Sequence, residues 1–500
     1  MAKKKNKSKP NAKQTTTAAK KPSSENTKVS TAKASSAAAA AASKGGFLDK
    51  MFRLSEHGTN VRTEIVAGLT TFFAMAYIIF LNPVILGEGS PTGMSNTAVV
   101  TATCIAAAIG TWLIGILSNY PMAQAPGLGL NAVFAYTLCG AFGLSAGAAL
   151  SAVFLAGIFF ILLTVTGART ALVKAIPVNL KKAIGAGIGL FIALIGFVNA
   201  GLVIGEGSGA ATTVALGNFA SPTVLLACFG LILTIILVVK KVPAALFVSM
   251  ISTAVIGCIF QFCFGVEMGV TAPTNWAPSL DFSMFGKCFT GFADLFKAPP
   301  ASLLATMLTL VMVDMFDTIG TLIGAADKAG YLDENGDLPK IEKAMLADAI
   351  ATSTGAVIGT STVTTYVEST AGISAGGKTG LTSMVTGICF ALALFLSPIV
   401  GLVPSAATAP ILIVVGVMMC GSLMDIDWRD LDVAIPCFLT IVGMPFFYSI
   451  TDGLAFGFIA FFIVKLAKGK AKEVHPLMYV IVVLFFIKYL LSALQTIGVL

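Results

Sequence analysis

In Ala125-Pro-Gly-Leu-Gly-Leu-Asn-Ala132, a proline and two glycines interrupt an apolar stretch of the chain. Proline removes a backbone donor and glycine destabilises a helix interior, so these residues predict a break. A second interrupted stretch follows in Gly359-Thr-Ser-Thr-Val-Thr-Thr-Tyr-Val-Glu368, which is rich in hydroxyl side chains. Neither stretch is long or apolar enough to cross a bilayer as one continuous helix. We therefore expect two partial crossings, each leading into a short helix.

Most of the remaining chain consists of apolar runs. Of its 500 residues 56% are hydrophobic and 11% charged, and the mean hydropathy is +0.90, which excludes an ordinary soluble protein. Runs of about the length that crosses a bilayer are Ile65–Leu86, Ala98–Leu117, Leu150–Thr166, Ala183–Val198, Val224–Val239, Leu246–Phe264, Leu303–Ala325, Leu381–Val403, Pro410–Leu423, Val433–Tyr448 and Leu454–Val464. With the interrupted stretches as segments 3 and 10, and the short run Met345–Ile358 as segment 9, they make fourteen segments. The sequence predicts an all-α polytopic membrane protein.

The two interruptions occupy the same place in two sets of seven segments. Each is followed by a full apolar helix with a related motif, Ala156-Gly-Ile-Phe-Phe160 in one half and Thr386-Gly-Ile-Cys-Phe390 in the other. Interrupted segments at matching positions indicate a transporter site near the bilayer midplane. Because seven is odd, the second half enters the membrane from the opposite side. We therefore predict a 7+7 inverted repeat.

Charge separates a basic arm from the membrane part. The first fifty residues carry 12 of the 32 basic residues and only two acids. We predict a disordered arm over residues 1–46, a first repeat over 47–265, an extracellular connector over 266–300, a second repeat over 301–467 and an apolar C-terminal segment over 468–500. Later basic residues fall in alternate loops, which places the N-terminus and both ends of the fourteen-segment region in the cytoplasm. The expected location is the plasma (inner) membrane, and whether residues 479–494 cross it stays open.

Three acids lie inside the predicted membrane region. Asp314 and Asp317, in Val311-Met-Val-Asp-Met-Phe-Asp-Thr-Ile-Gly-Thr321, are one helical turn apart and share a face. Glu368 ends the second interruption. Each such side chain costs roughly 2.5–3.5 kcal/mol to insert, and these positions usually face a cavity, a partner or a transported species. The alternative is a structural pair that Ser or Thr hydroxyls satisfy. A carboxylate that can bind a proton at this depth is what a proton-coupled carrier needs.

Further polar and aromatic residues accompany the acids. Asn131 lies in the first interruption, and Thr365 belongs to the hydroxyl-rich second one. Asn131 and Glu368 have an alternative reading as helix caps. Phe134 and Phe316 flank the polar groups and could stack on a planar ligand, although packing is the commoner role of such rings.

Two more acids are ambiguous, and catalytic sets are missing from the sequence. Glu64 is expected to be an interfacial charge, and Asp348 either joins the polar network or stays at the inner interface. The nine cysteines form no C-x-x-C pair, and the two histidines lie in polar segments next to the membrane. Neither a metal site nor a Ser/His/Asp set can be assembled in the membrane, so we expect no enzyme and no metal.

Four stretches carry a resemblance to a known family. They are Glu64-Ile-Val-Ala-Gly-Leu-Thr-Thr-Phe-Phe-Ala-Met-Ala-Tyr-Ile-Ile-Phe-Leu-Asn-Pro83, Gly127-Leu-Gly-Leu-Asn-Ala132, Asp314-Met-Phe-Asp-Thr-Ile-Gly-Thr-Leu-Ile-Gly324 and Val367-Glu-Ser-Thr-Ala-Gly-Ile373. They closely resemble the AzgA-like purine permeases, a branch of the nucleobase–ascorbate transporter family. The resemblance covers roughly residues 50–495 and implies the uracil-permease fold. In that fold, segments 1–4 and 8–11 form a core domain, and segments 5–7 and 12–14 form a gate domain.

The resemblance also implies roles for individual residues. Asp314 and Glu368 match the purine-binding acids, Asn131 matches a polar contact in segment 3, and Asp317 matches an acid tied to translocation. The expected function is import of hypoxanthine, guanine or adenine by proton symport, with Asp317 and Asp314 in the coupling and no cofactor besides the proton. A carrier for uracil or xanthine, Na⁺ coupling and, more distantly, a membrane protein that transports nothing stay open. Expected partners are a purine nucleobase and the lipid bilayer but no nucleic acid, with a homodimer left open.

Overall fold

The computed structural model describes residues 46–167, 175–206, 213–273, 276–297, 300–332 and 338–496. Within these ranges, ten helices are long and apolar enough to cross a membrane. The predicted polytopic, mostly helical fold is therefore confirmed. Nearly all of the predicted basic arm lies outside the described residues.

The helices follow the predicted segments closely. In the first half they are Val61–Met75 and Ile78–Leu86 (segment 1), Asn96–Ser118 (2), Leu128–Ala132 with the π-helix Val133–Ala141 (3), Ala146–Val165 (4), Val178–Asn199 (5), Pro222–Val239 (6) and Ala245–Phe264 (7). In the second half they are Pro300–Ala329 (8), Ile341–Ile358 (9), Ser369–Ser374 (10), Gly380–Ala393 with the 3-10 helix Leu394–Leu402 (11), Ser405–Met419 with the 3-10 helix Cys420–Asp425 (12), Leu431–Phe446 (13) and Ile450–Ala467 (14). The additional helices are Phe47–Phe52, Lys287–Thr290, Phe292–Leu295 and Pro476–Thr496.

Both predicted interruptions contain a short strand ahead of a half-helix. Strand β1, Gln124–Pro126, pairs antiparallel with strand β4, Val363–Thr365. Ala125 lies opposite Thr364 in this register. A second pair, β2 (Val203–Glu206) with β3 (Thr213–Leu216), lies between segments 5 and 6, where the sequence predicted only a loop.

The membrane helices pack as two groups. In one group, segment 2 contacts segments 9 and 11, segment 9 also contacts segment 4, and segment 11 contacts segment 1. In the other, segment 5 contacts segments 12 and 13, segment 6 contacts segments 7 and 12, and segment 13 contacts segment 14. The two groups correspond to the core and the gate of the uracil-permease fold.

Two glycines show how the repeat shapes the core group. A Cβ at Gly157 in segment 4 would lie 2.3 Å from Ser353 Oγ in segment 9, and one at Gly387 in segment 11 would lie 2.3 Å from Trp112 Nε1 in segment 2. Segments 4 and 11 are equivalent in a 7+7 repeat, and so are segments 9 and 2. The related glycines therefore permit the same close helix contact in each half.

The last helix, Pro476–Thr496, packs against segments 8 and 14. Its Tyr479 ring contacts Phe462, and its Phe485 ring contacts Phe458. As the residue number rises along the last helix it falls along segment 14, so the two helices run antiparallel.

Glu64 is not the interfacial charge that the sequence indicated. It is 0% exposed, and its carboxylate accepts bonds from the backbone N–H groups of Lys378 (3.0 Å), Thr379 (3.3 Å) and Thr382 (3.2 Å). The Thr382 hydroxyl donates a further bond at 2.6 Å. These donors surround the N-terminus of segment 11, where unpaired N–H groups and the helix dipole favour a negative charge. Glu64 thus joins segment 1 to segment 11.

We predict that Glu64→Ala lowers the melting temperature of the purified protein in detergent. The substitution leaves several buried donors unpaired, at a cost of about 1–3 kcal/mol for each. Glu88→Ala, at an exposed carboxylate after segment 1, is the matched control and should leave the melting temperature unchanged. Equal melting temperatures for the two variants would contradict the assigned role of Glu64.

Candidate functional site

The candidate site surrounds the β1–β4 pair. Outside the ladder, Gly127 N–H donates to Thr362 O at 3.0 Å, and Tyr366 N–H donates to Ala123 O at 2.9 Å. The two half-helices begin two and four residues after these strands end, at Leu128 and at Ser369. Hence backbone groups that a broken helix leaves unpaired find partners across the two halves. Two helix N-termini, which favour negative or polar groups, meet at this crossing.

Asn131 connects three segments next to the crossing. Its amide Nδ2 donates to Asn82 Oδ1 in segment 1, and its Oδ1 accepts from Ser361 Oγ in segment 10. Asn82 Nδ2 in turn donates to Thr103 Oγ1 at 2.6 Å. Asn131 is fully buried and lies inside its half-helix, so the capping interpretation was wrong.

Asp314 is buried more deeply than Asp317 and Glu368. It is 1% exposed, and Thr352 Oγ1 donates to its Oδ2 at 3.0 Å. Within the described part of the chain, its Oδ1 has no hydrogen-bond partner. A buried polar atom without a partner is costly, so this oxygen is suited to a donor that arrives with a ligand or to a proton.

Asp348, which the sequence left undecided, belongs to the polar network. It is 0% exposed, and its Oδ1 accepts from Gln124 Nε2 and Thr318 Oγ1, both at 2.9 Å. The Thr365 hydroxyl, predicted as a substrate contact, also donates to this oxygen, at 3.3 Å. Asp348 thus connects segments 8, 9 and 10 with β1. In this arrangement the Thr365 hydroxyl donates its hydrogen bond to Asp348.

Asp317 and Glu368 are the half-buried acids of the site. Thr364 Oγ1 in β4 donates to Asp317 Oδ2 at 3.4 Å, and Tyr77 OH donates to Glu368 Oε1 at 2.5 Å. Asp317 lies one helical turn from Asp314 in segment 8, and Glu368 directly precedes the half-helix Ser369–Ser374. Glu368 occupies the N-cap position of its half-helix, as the alternative interpretation expected, but its side chain makes no capping hydrogen bond.

Tyr77 was missed by the sequence analysis. It lies between the two helices of segment 1, Val61–Met75 and Ile78–Leu86, and is 1% exposed. No proline or glycine adjoins this break, so the only signal was a phenol hydroxyl in an apolar run that also holds Thr70 and Thr71.

The two candidate aromatic residues have different surroundings. Phe134 lies in the π-helix of segment 3 at 0% exposure within the apolar core, so its ring presents no open face. Phe316 is half-buried between Asp314 and Asp317, and Lys181 Nζ lies 5.7 Å from its ring centroid. Phe316 is therefore the better placed of the two to meet a planar ligand.

These residues combine several hydrogen-bond acceptors with few donors around the strand crossing. Carboxylates from segments 8 and 10 face a strand crossing that both halves build, and two of them remain partly accessible. Such a site can bind a small polar molecule that presents N–H groups. Fold and site together define a secondary carrier of the inverted-repeat type.

Comparisons with known proteins agree with this class. The model of the Permease family, Xan_ur_permease, matches residues 62–456. Guanine/hypoxanthine permease PbuO of Bacillus subtilis is 44% identical over 442 residues, which cover 88% of this chain and 99% of that protein. Adenine permease AdeP of Escherichia coli is 41% identical over 443 residues, covering 89% and 96%. The chain therefore belongs to this permease family and is a multi-pass membrane transporter, not an enzyme.

Solved structures confirm the fold. The transmembrane domain of the cyanobacterial bicarbonate transporter BicA matches with a TM-score of 0.58 at 16% identity, covering 79% of this chain and 97% of that domain. Murine Slc26a9, an anion transporter in the inward-facing state, matches with a TM-score of 0.56 at 12% identity, covering 86% and 73%. At such identities the likeness concerns the architecture only.

We predict that Tyr77→Phe raises the KM for the transported substrate by about tenfold, the scale of a hydrogen bond to a charged group. The substitution removes the donor that orients the Glu368 carboxylate while keeping the ring. Tyr479→Phe removes a hydroxyl that donates to Ala471 O at 2.7 Å, outside the site, and should transport normally. A wild-type KM for Tyr77→Phe, at equal amounts in the membrane, would refute the positioning role.

Proposed function

We propose that this protein imports purine nucleobases across the plasma (inner) membrane by proton symport, with its N-terminus in the cytoplasm. The observation that carries the proposal is the meeting of three carboxyl groups at the strand crossing. Asp317 and Glu368 remain half-accessible there, and one oxygen of Asp314 has no partner among the described residues. The relatives named above, permeases for guanine, hypoxanthine or adenine, support the same substrate class.

The chemistry of purine bases suits these groups. A purine is a flat ring system that carries N–H donors together with acceptor ring nitrogens. Carboxylates of Asp314 and Glu368 can accept from the N–H groups, and Phe316 can contact the ring face. Backbone N–H groups at the half-helix starts can donate to the acceptor atoms. Binding would thereby supply the donor that Asp314 Oδ1 lacks.

Proton coupling follows from the same acids. Several carboxylates this close together in a low-dielectric site repel one another, so a proton that arrives with the base stabilises the loaded site. In the proposed cycle, Asp317 or Asp314 holds this proton while the core group moves against the gate group. Release of base and proton toward the cytoplasm would then reset the carrier.

The acidic side chains of the site also limit which substrates it can bind. The fold neighbours are named as transporters of bicarbonate and of anions. An anion would have to approach at least three carboxyl groups, which repel it. This disfavours anionic cargo while leaving uracil and xanthine to be tested against the purines.

We expect Asp314→Asn and Glu368→Gln each to abolish high-affinity purine uptake, because an amide, which carries an NH₂ donor of its own, cannot replace a carboxylate that only accepts hydrogen bonds. Uptake of labelled hypoxanthine into cells measures the effect, with the membrane amount quantified on the same samples. Asp432→Asn, at a carboxylate 2.6 Å from Lys468 Nζ outside the site, is the matched control. Normal hypoxanthine uptake by either site variant would rule out the proposed binding role.

Competition and uncoupling test the cargo and the coupling ion. Unlabelled adenine, guanine or hypoxanthine should reduce the uptake of labelled hypoxanthine, whereas uracil should not. A protonophore should abolish accumulation, and replacing Na⁺ by K⁺ should leave it unchanged. Accumulation that depends on Na⁺ and survives the protonophore would contradict proton symport but not purine transport.

A further inference from the structure

A lysine from the gate group reaches an aromatic residue of the candidate site. Lys181 belongs to segment 5, and its Nζ lies 5.7 Å from the centroid of the Phe316 ring in segment 8. This distance is within the range of a cation–π interaction. Phe316 lies between Asp314 and Asp317 in the chain. The contact therefore places a positive charge from the gate against a core ring whose neighbours in the sequence include two acids.

The neighbouring lysine has a different role. Lys182 Nζ donates to Asp425 O at 3.0 Å, at the end of segment 12. Segments 5 and 12 both belong to the gate group, so this hydrogen bond of Lys182 joins two segments within the gate. Among the described contacts, only Lys181 of these two adjacent lysines lies over the Phe316 ring. Lys182 can therefore serve as a control in an experiment on Lys181.

The same face of segment 8 borders open space. Phe316, Gly320 and Gly324 are spaced four residues apart, which places them along one side of the helix. A Cβ at Gly320 or at Gly324 would meet no atom within 4 Å. Phe316 and Asp317 are themselves only half-buried. Lys181 thus lies next to open space that borders the acids.

The combined chemistry of lysine and carboxylate selects among purines. An ammonium group only donates hydrogen bonds, and an ionised carboxylate only accepts them. Hypoxanthine and guanine present an acceptor at C6=O next to a donor at N1–H, so both groups find a partner. Adenine presents the reverse, a 6-amino donor next to the acceptor N1, so its amino group would face an ammonium that offers only donors.

We propose that Lys181 is a specificity-determining residue that makes this carrier favour 6-oxopurines over the 6-aminopurine adenine. The ammonium group donates to O6 of the bound base, while a carboxylate of the acid cluster accepts from N1–H. This inference rests on the proposed function and narrows it. The relatives alone do not decide the preference, because permeases for guanine/hypoxanthine and for adenine are similarly close.

The test compares Lys181→Met, Lys181→Arg and Lys182→Met in the full-length protein, with initial uptake rates of labelled hypoxanthine, guanine and adenine. We expect Lys181→Met to lower kcat/KM for both 6-oxopurines by about 10- to 100-fold, the range for a hydrogen bond to a charged group. Its kcat/KM for adenine should stay equal or rise. Lys181→Arg keeps the charge and should retain the preference, and Lys182→Met should match the wild type.

Three results would overturn the inference while leaving purine transport intact. They are a wild type that prefers adenine, an equal loss for all three bases in Lys181→Met, and no loss in that variant. A wild type that takes up none of the three bases would instead refute the proposed function. Measuring the amount of each variant in the membrane separates a lost contact from lost folding.

Discussion

Backbone N–H and C=O groups inside a bilayer must find hydrogen-bond partners within the protein, because no water is present to supply them. In this chain, the partners at the two interrupted segments come from each other. Strand β1 of the first half pairs with β4 of the second, and Tyr366 OH adds a bond to Pro126 O at 2.6 Å. Neither half can therefore complete its own broken segment. The site exists only where both halves meet, and its position follows from the pairing.

This pairing determines how the acids are held. Asp348 and Asp314 are almost fully buried and bound by hydroxyl or amide donors from several segments. Asp317 and Glu368 lie at the accessible edge, each with one side-chain donor. Burying carboxylates in a membrane is costly unless they gain partners. The hydroxyl-rich second interruption supplies two of these partners, Thr364 for Asp317 and Thr365 for Asp348. The network thus presents a few acids to a ligand while keeping the others fixed.

Much of this architecture could be predicted from the sequence. Pro126 and the nearby glycines marked the first break, and acids in apolar runs marked the site. Both features are costly inside a bilayer, so they stand out in an apolar sequence. Contacts between distant segments were harder to foresee. Nothing local shows that Tyr77 donates to Glu368, or that Glu64 receives the N-terminus of segment 11. Such roles depend on which helices become neighbours, and periodicity in one sequence does not encode that.

The β1–β4 pairing can be measured directly by cross-linking. In a variant that lacks the nine native cysteines, Ala125→Cys combined with Thr364→Cys places two thiols on partner residues. Antiparallel partners have Cα atoms about 4.5–5.5 Å apart, within the range of a disulfide. Mild oxidation in membranes should therefore link this pair, as detected by mass spectrometry of the joined peptides. The control pair, Ala125→Cys with Val367→Cys, should stay unlinked, since its offset of three residues adds about 10 Å to the distance. Efficient linkage of the offset pair without linkage of the partner pair would contradict the β1–β4 pairing on which the site depends.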